Sequence, residues 1–330
     1  MNKMNKMNKK VIAVITAIML LATCLTGCGG GGNESADPAR ISFASGGTSG
    51  TYYPIAGAIS TLWTDKVEGL TVDVQSTGAS AENLNLIKNG EAEVALVQND
   101  VMYYAYTATE SFADVDKNES FATLGTVYPE VVQLVVAGDS GIETLADLKG
   151  KAVSIGDVGS GVESNAKQIL AAAGIGLDEI TVRNLGFGES ANGIKDKTLD
   201  AAFVTAGTPT TAVTELAATN DIKVLSLDQA VIDKLCADYG YYTAFTIPAD
   251  VYGTAADANT VAVKATIVVK ADLSEELVYN MTKALFDSKD AITTAHVKGA
   301  ELDVKAAVEG ASVPLHPGAE KFYKEQGVIE

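Results

Sequence analysis

The stretch SGGTSGTYYP (45–54) sets glycines, hydroxyls and two tyrosines before a proline, with no carboxylate, amine, imidazole or thiol among them. Pro54 suits the first turn of a helix, where its missing N–H costs nothing. Glycine lets backbone approach a guest closely, so Gly47 marks a point of contact. Thr48 and Thr51 supply neutral hydroxyls, and Tyr52 and Tyr53 supply flat walls with a polar tip. Unpaired N–H groups at the start of the helix favour negative charge. The chemistry on offer is capture of a small anion by main-chain amides and hydroxyls. GDVGSGVES (156–164) carries the same equipment in Gly159, Ser160 and Gly161. TGASAEN (77–83), with Gly78, Ser80 and Asn83, and AGTPTTA (206–212), with Ala206 and Gly207, add two further helix starts. VQND (97–100) ends a strand and places Gln98 and Asp100 at a cleft edge. VYPE (127–130) falls at a hinge, where Tyr128 and Glu130 can close over a ligand amine.

Little else offers catalysis. His296 and His316 fall near the C-terminus, away from these loops, and no G-x-S-x-G, H-E-x-x-H, C-x-x-C or calcium-loop pattern occurs. GDVGSG lacks the lysine of a phosphate-binding loop. No cofactor and no metal are expected.

An internal repeat gives the elements that must position these loops. IKNGEAEVALVQ (87–98) aligns without a gap with IKDKTLDAAFVT (194–205), and TVDVQSTGASAENL (71–84) runs parallel to TVRNLGFGESANGI (181–194). Upstream, ISFASGGTSG (41–50) corresponds to VSIGDVGSG (153–161). Each half therefore has one plan: strand, loop, helix, second strand, second helix, third strand. Helices are expected at about 54–64, 80–89, 162–173 and 190–196. Alternation at this spacing indicates parallel sheet. Right-handed crossovers then gather the post-strand loops at one end, where open α/β sheets bind ligands. Two such sheets imply an α/β protein of two Rossmann-like lobes facing a cleft. The β-branched runs VVQLVVAGDS (131–140) and VAVKATIVVKADLS (261–274) are the expected crossings. Lobe 1 is then residues 40–134 plus 263–330, and lobe 2 is residues 135–262.

The first residues are a separate object. Lysines, the apolar run VIAVITAIMLLATCL and the closing LTGC read as a secretory signal over residues 1–27. LTGC resembles a bacterial lipobox, which implies lipidation of Cys28; LATC, ending at Cys24, is a second candidate. Residues 28–39 follow as a flexible tether. The protein is thus expected outside the cell membrane, held to its outer face by lipid. Cys236 is left alone, so no disulfide forms in the mature chain. The 330 residues carry a net charge of −18 and only two arginines, Arg40 and Arg183, which argues against nucleic-acid binding.

SGGTSGTYYPIAGAIS, TGASAENLNLIKNGEAEVALVQNDV, YPEVVQLVVAGDSGIETLADLKGKAVSIGDVGSG, DAAFVTAGTPT and PLHPGAEKFYKE occur in order over roughly residues 40–330. Together they resemble the TAXI subgroup of solute-binding proteins, which serve TRAP transporters. The resemblance implies a two-lobed periplasmic-binding-protein fold of the second type. It also implies capture of a small carboxylate, a glutamate-like amino acid or organic acid, for an ion-driven TRAP permease. The absence of arginine from the cleft loops is in keeping with that subgroup. The alternative on the same fold is a receptor for an ATP-driven importer, or a sensor, taking a heterocycle or sulfonate stacked on the tyrosines. A two-lobed hydrolase or transferase is a third reading; it needs a base in the cleft, for which Asp100 and Glu130 are the candidates.

Overall fold

The computed structural model describes residues 40–330. The signal sequence, the tether and Cys28 lie outside the described residues. The first half opens with β1 (Arg40–Ala44), α1 (Tyr52–Lys66), β2 (Thr71–Gln75), α2 (Ser80–Asn89) and β3 (Val94–Gln98). α3 (Asn99–Thr107) follows β3 directly, and β4 (Phe121–Ala137) then runs 17 residues. The second half repeats the plan with β5 (Ala152–Ser154), α4 (Gly161–Ala172), β6 (Thr181–Arg183), α5 (Phe187–Lys195) and β7 (Ala201–Ala206). Next come α6 (Thr211–Ala217), β8 (Ile222–Leu225), α7 (Gln229–Asp238), β9 (Thr243–Ile247) and the long β10 (Ala258–Lys270). α8 (Glu275–Asp287), α9 (Lys289–Ala295) and α10 (Pro317–Glu325) close the chain.

The strands make a type II periplasmic-binding-protein fold with two lobes. In lobe 1, β1 lies between β2 and β3, all parallel, and β3 pairs antiparallel with Val94–Gln98 against 265–269 of β10. In lobe 2, β5 lies between β6 and β7, again parallel, and β7 pairs antiparallel with 131–136 of β4. The repeat seen in the sequence is this shared arrangement. The expected parallel sheet is corrected at its fourth strand, which in each lobe is antiparallel. That strand is lent by a crossing segment, so its partner lies far away in sequence.

β4 and β10 run through both lobes and pair antiparallel with each other, with irregularities at Ala265/Thr266 and Ile267/Val268. Both differ from the expected crossings: β4 begins ten residues earlier, at Phe121, and β10 ends at Lys270. The cores change hands along them. One set of buried residues, including Phe43, Trp63, Leu96, Ile267 and Tyr323, fills lobe 1, and a second, including Leu84, Val97 and Phe121, covers its other sheet face. Val132, Ile169, Phe203 and Leu235 fill one face of lobe 2; Val131, Val135, Val204 and Leu216 fill the other.

Local sequence explains the helices that matter. α1 buries Ile55, Ala56, Ile59, Leu62 and Trp63, an i, i+4, i+7 stripe facing the sheet. Trp63 Nε1 donates to the Met281 carbonyl at 2.8 Å, which ties α1 to α8. α4 is capped by Ser160, whose side chain accepts from the Glu163 amide at 3.2 Å. His316 caps α10: Nδ1 accepts the Gly318 N–H at 3.2 Å and Nε2 lies 3.1 Å from the Leu273 carbonyl. That imidazole is buried structure, remote from any cleft loop. No helix of the described residues is long and apolar enough to cross a membrane.

Candidate functional site

The strands of both lobes end at one cavity of about 300 Å³, which Gly47 and Ser160 both line. Lobe 1 contributes the loop Gly46–Tyr52, the start of α2 and the last residue of β3, Gln98. Lobe 2 contributes the start of α4, the start of α5 and the end of β7. Four helix N-termini, those of α1, α2, α4 and α5, therefore border one space. Among the described residues no protein acceptor meets the amides of Gly161 and Val162 on α4, or those of Phe187 and Gly188 on α5. Thr48, Ser49, Ser80 and Ser160 add hydroxyls. Neutral donors thus dominate one part of the wall.

The buried end has the opposite character. Glu130 is 2% exposed, and its Oε2 accepts from the Tyr52 hydroxyl at 3.1 Å. Burial pushes the Glu130 carboxyl well above the usual carboxylate range, against the opposing hydrogen bond from Tyr52. Burial, followed by the Glu130 charge, raises the Tyr52 phenol as well. Gln98 Oε1 and Thr205 Oγ1, both buried and both on cavity residues, have no hydrogen-bond partner among the described residues. Asp157 and Glu189 stand on the lobe 2 wall, and burial and then Glu189 raise the Asp157 carboxyl. Among the described residues no lysine, arginine or histidine lines the cavity.

The lobes are in contact. Thr51 Oγ1 donates to the Gly207 carbonyl at 3.2 Å, Ala81 N–H to the Gly159 carbonyl at 3.2 Å, and Ala212 N–H to the Ser49 carbonyl at 3.1 Å. A Cβ placed on Gly161 would stand 2.1 Å from Gln98 Oε1, so glycine is what lets α4 approach β3. At the rim, Ala79 holds φ 73° and ψ −143°, a region nearly reserved for glycine. Strain of about 1–3 kcal/mol at such a residue persists only where its surroundings hold it. Here Thr77 Oγ1 accepts the Ala79 N–H at 3.1 Å, and the Ala79 carbonyl accepts from Asn83 N–H at 2.9 Å.

Of the residues singled out in the sequence, Gly47, Thr48, Thr51, Tyr52, Gly78, Ser80, Gln98, Glu130, Ser160, Gly161 and Ala206 line this cavity. Six do not. Tyr53 follows Tyr52 on α1 and points to solvent, 38% exposed. Asn83 lies behind the wall, donating through Nδ2 to the Ser45 and Leu96 carbonyls, each at 2.7 Å. Asp100 sits on α3, which starts directly after Gln98 and carries the carboxylate to Asn165 of lobe 2. Tyr128 points into the lobe 1 core. Gly159 spends its amide on Glu163 and its carbonyl on Ala81. The Gly207 carbonyl is taken by Thr51 and Thr210.

The expected fourth helix start is also corrected. Two amides at the start of α6 are used, and this start does not border the cavity: Thr210 N–H donates to the Tyr252 hydroxyl at 2.7 Å and Ala212 N–H to the Ser49 carbonyl. The cavity is met instead by α5, through Gly186, Phe187, Gly188 and Glu189. The repeat carried the signal, because GFGESA (186–191) aligns with STGASA (76–81). Ser49, read with Thr48 and Thr51 as a neutral hydroxyl of the first loop, lines the cavity; Asp157 and Thr205 were not picked out, although each adjoins a residue or loop that was. Among the described residues no cluster of three or more His, Cys, Asp or Glu can hold a metal.

Comparison with solved structures finds this fold widely. The structure of PhnD1 from Prochlorococcus marinus (MIT 9301) in complex with methylphosphonate is similar at a TM-score of 0.55 and 9% identity, over 89% of this chain and 100% of that one. The alkanesulfonate-binding protein SsuA from Xanthomonas axonopodis pv. citri, bound to MOPS, gives 0.51 and 14% over 88% and 85%. A binding-protein component of an ABC phosphonate transporter from Pseudomonas aeruginosa gives 0.51 and 13% over 79% of each chain. At such identities the likeness is one of fold. The sequence itself is matched by one family model from residue 43 to residue 327, through both lobes and every cavity-lining loop, and on that match the chain belongs to the NMT1-like family.

Proposed function

We propose that the protein is an extracytoplasmic solute receptor that closes its two lobes on a small zwitterionic acid and passes it to a membrane transporter. The observation that carries this reading is the two-ended cavity: four helix starts with hydroxyls, and a buried Glu130 with no cation beside it. A carboxylate fits the first end, where amides and helix dipoles favour negative charge. An ammonium fits the second, where Glu130, Gln98 Oε1 and Thr205 Oγ1 offer acceptors. A volume of about 300 Å³ suits an amino-acid-sized guest. Three carboxyl groups on the wall and no basic side chain disfavour a simple dianion, so an amino acid of glutamate-like size is favoured over an organic acid without an amine. An aminosulfonate is the second reading, because helix starts capture sulfonate oxygens equally well.

The named structural relatives include an ABC transporter component, and this favours an ATP-driven importer over the TRAP permease implied by the sequence resemblance. Lipidation at Cys28 and anchoring outside the cell membrane belong to the same proposal. A thermal-shift screen of amino acids, dicarboxylates, sulfonates and phosphonates tests it, because a ligand that binds only the folded state raises the unfolding temperature. Stabilisation by one or a few zwitterions is expected; no stabilisation across the set would overturn the receptor reading.

A further inference from the structure

Asp100 belongs to a second junction between the lobes, outside the ligand cavity. Its Oδ2 accepts from Asn165 Nδ2 at 2.8 Å, and the same nitrogen lies 2.9 Å from the Tyr242 hydroxyl. Tyr242 donates to Gln168 Oε1 at 2.7 Å, and Gln168 Nε2 donates to the Tyr104 hydroxyl at 2.8 Å. Tyr104 and Tyr241 close the network hydroxyl to hydroxyl. Asp100 and Tyr104 lie on α3 of lobe 1; Asn165 and Gln168 lie on α4 of lobe 2, with Tyr241 and Tyr242 just before β9. Asp100 and Asn165 are both 0% exposed, and among the described residues each keeps one oxygen, Oδ1, without a partner.

We propose that this junction is a proton-dependent latch: the lobes close with Asp100 carrying a proton, and loss of that proton favours opening. The geometry supplies the reason. Closure encloses a carboxyl group between two lobes and adds to the backbone amides of its own helix start only a neutral side-chain amide. The charged and titratable groups around it offer no compensation. Glu130 on β4 is a second buried carboxyl, and Tyr104, Tyr241 and Tyr242 are phenols; the Asp100 charge opposes the ionisation of all four. Lys167 on α4 and Lys264 on β10 are paired with Glu163 and Glu309. Burial raises the Asp100 carboxyl to about 7, against opposing hydrogen bonds from the Val101 amide, from Asn165 and from its own amide in the first turn of α3. In an open form the group meets water and titrates near the ordinary aspartate value of about 4.

The sign follows from linkage. Between about pH 4 and about pH 7 closure takes up one proton, so the closed-to-open ratio falls about tenfold per pH unit and is flat above. The latch rests on the receptor reading only in assuming that the lobes move. Glu130 is buried by the same closure and binds its own proton, so the test uses a Glu130→Gln background, which also weakens any retained ligand. Small-angle X-ray scattering of this variant is expected to show a compact particle at pH 5 and an expanded one at pH 8. With Asp100→Asn added, the particle is expected to stay compact at both. An unchanged pH response after the second substitution, or none in the first variant, would overturn the latch. If the double variant fails to fold, selective ¹³C-aspartate titration of the wild-type protein decides: an aspartate titrating near 7 supports the latch, and all aspartates titrating near 4 overturn it. Neither measurement needs a ligand, so an empty ligand screen sinks the receptor reading without touching this one.

Discussion

Glu130 and Gly161 act at the cavity by opposite means, one through charge and one through the lack of a side chain. Glu130→Gln keeps the shape and removes the carboxyl that gives up its proton when an ammonium binds beside it. A hydrogen bond to a charged group is worth about 1.5–3 kcal/mol, so affinity for an ammonium-bearing ligand should fall by about 10- to 100-fold. Calorimetry on the variant checks this, and an affinity equal to wild type would show that no ammonium reaches Glu130. Gly161→Ala places a methyl where Gln98 Oε1 stands in the closed form. Overpacking of about 1–3 kcal/mol then weakens the ligand by about tenfold or more, while the unfolding temperature without ligand is expected to hold. The other residue-scale prediction concerns pH. Because closure buries Asp100, ligand affinity should fall as pH rises from 5 to 7 and level off above. Titrations at pH 5, 6, 7 and 8 on wild type and Asp100→Asn separate this effect from others.

At the scale of elements, α1 carries both the site and the core. Its first turn presents Tyr52 to Glu130, and its last turns bury Trp63 against Phe43 at 5.5 Å between ring centroids and against α8 through Met281. Trp63→Ala should cost about 3–5 kcal/mol of lobe 1 stability, read from urea denaturation; a loss below about 1 kcal/mol would mean that the pocket collapses freely. Much at this scale was legible from sequence, because the strand–loop–helix plan recurs in both halves and glycine, hydroxyl and proline mark the turns. Two elements were not. The start of α5 reads Gly-Phe-Gly-Glu, with no hydroxyl to advertise an anion site, whereas AGTPT looks like one but turns its amides to Tyr252 and Ser49. The antiparallel strand in each lobe escaped notice because local periodicity carries no information about a partner such as β10, more than 150 residues beyond β3. Asp100 was read as lying at a strand end, correctly in sequence. Since α3 begins at Asn99 without a connecting loop, the side chain points across to α4 instead of into the cavity.

For the whole molecule, function depends on two lobes that exchange strands yet keep separate cores. β4 and β10 are continuous through both, and the pairing irregularities in β10 fall at 265–268, next to the point where one core gives way to the other. In the proposed receptor a hinge there would let the lobes part while each sheet stays intact. The closed contacts, Thr51 to Gly207, Ala81 to Gly159 and Asn165 to Asp100, are individually modest, so the ligand must contribute enough to shift the balance. Calorimetric titration of the wild-type protein with an amino acid from the thermal-shift screen, set against the same acid without its amino group, measures that contribution directly. One site per chain and an affinity about 10- to 100-fold lower for the deaminated acid are expected. Equal affinity for the two acids would contradict a cavity that reads both ends of a zwitterion.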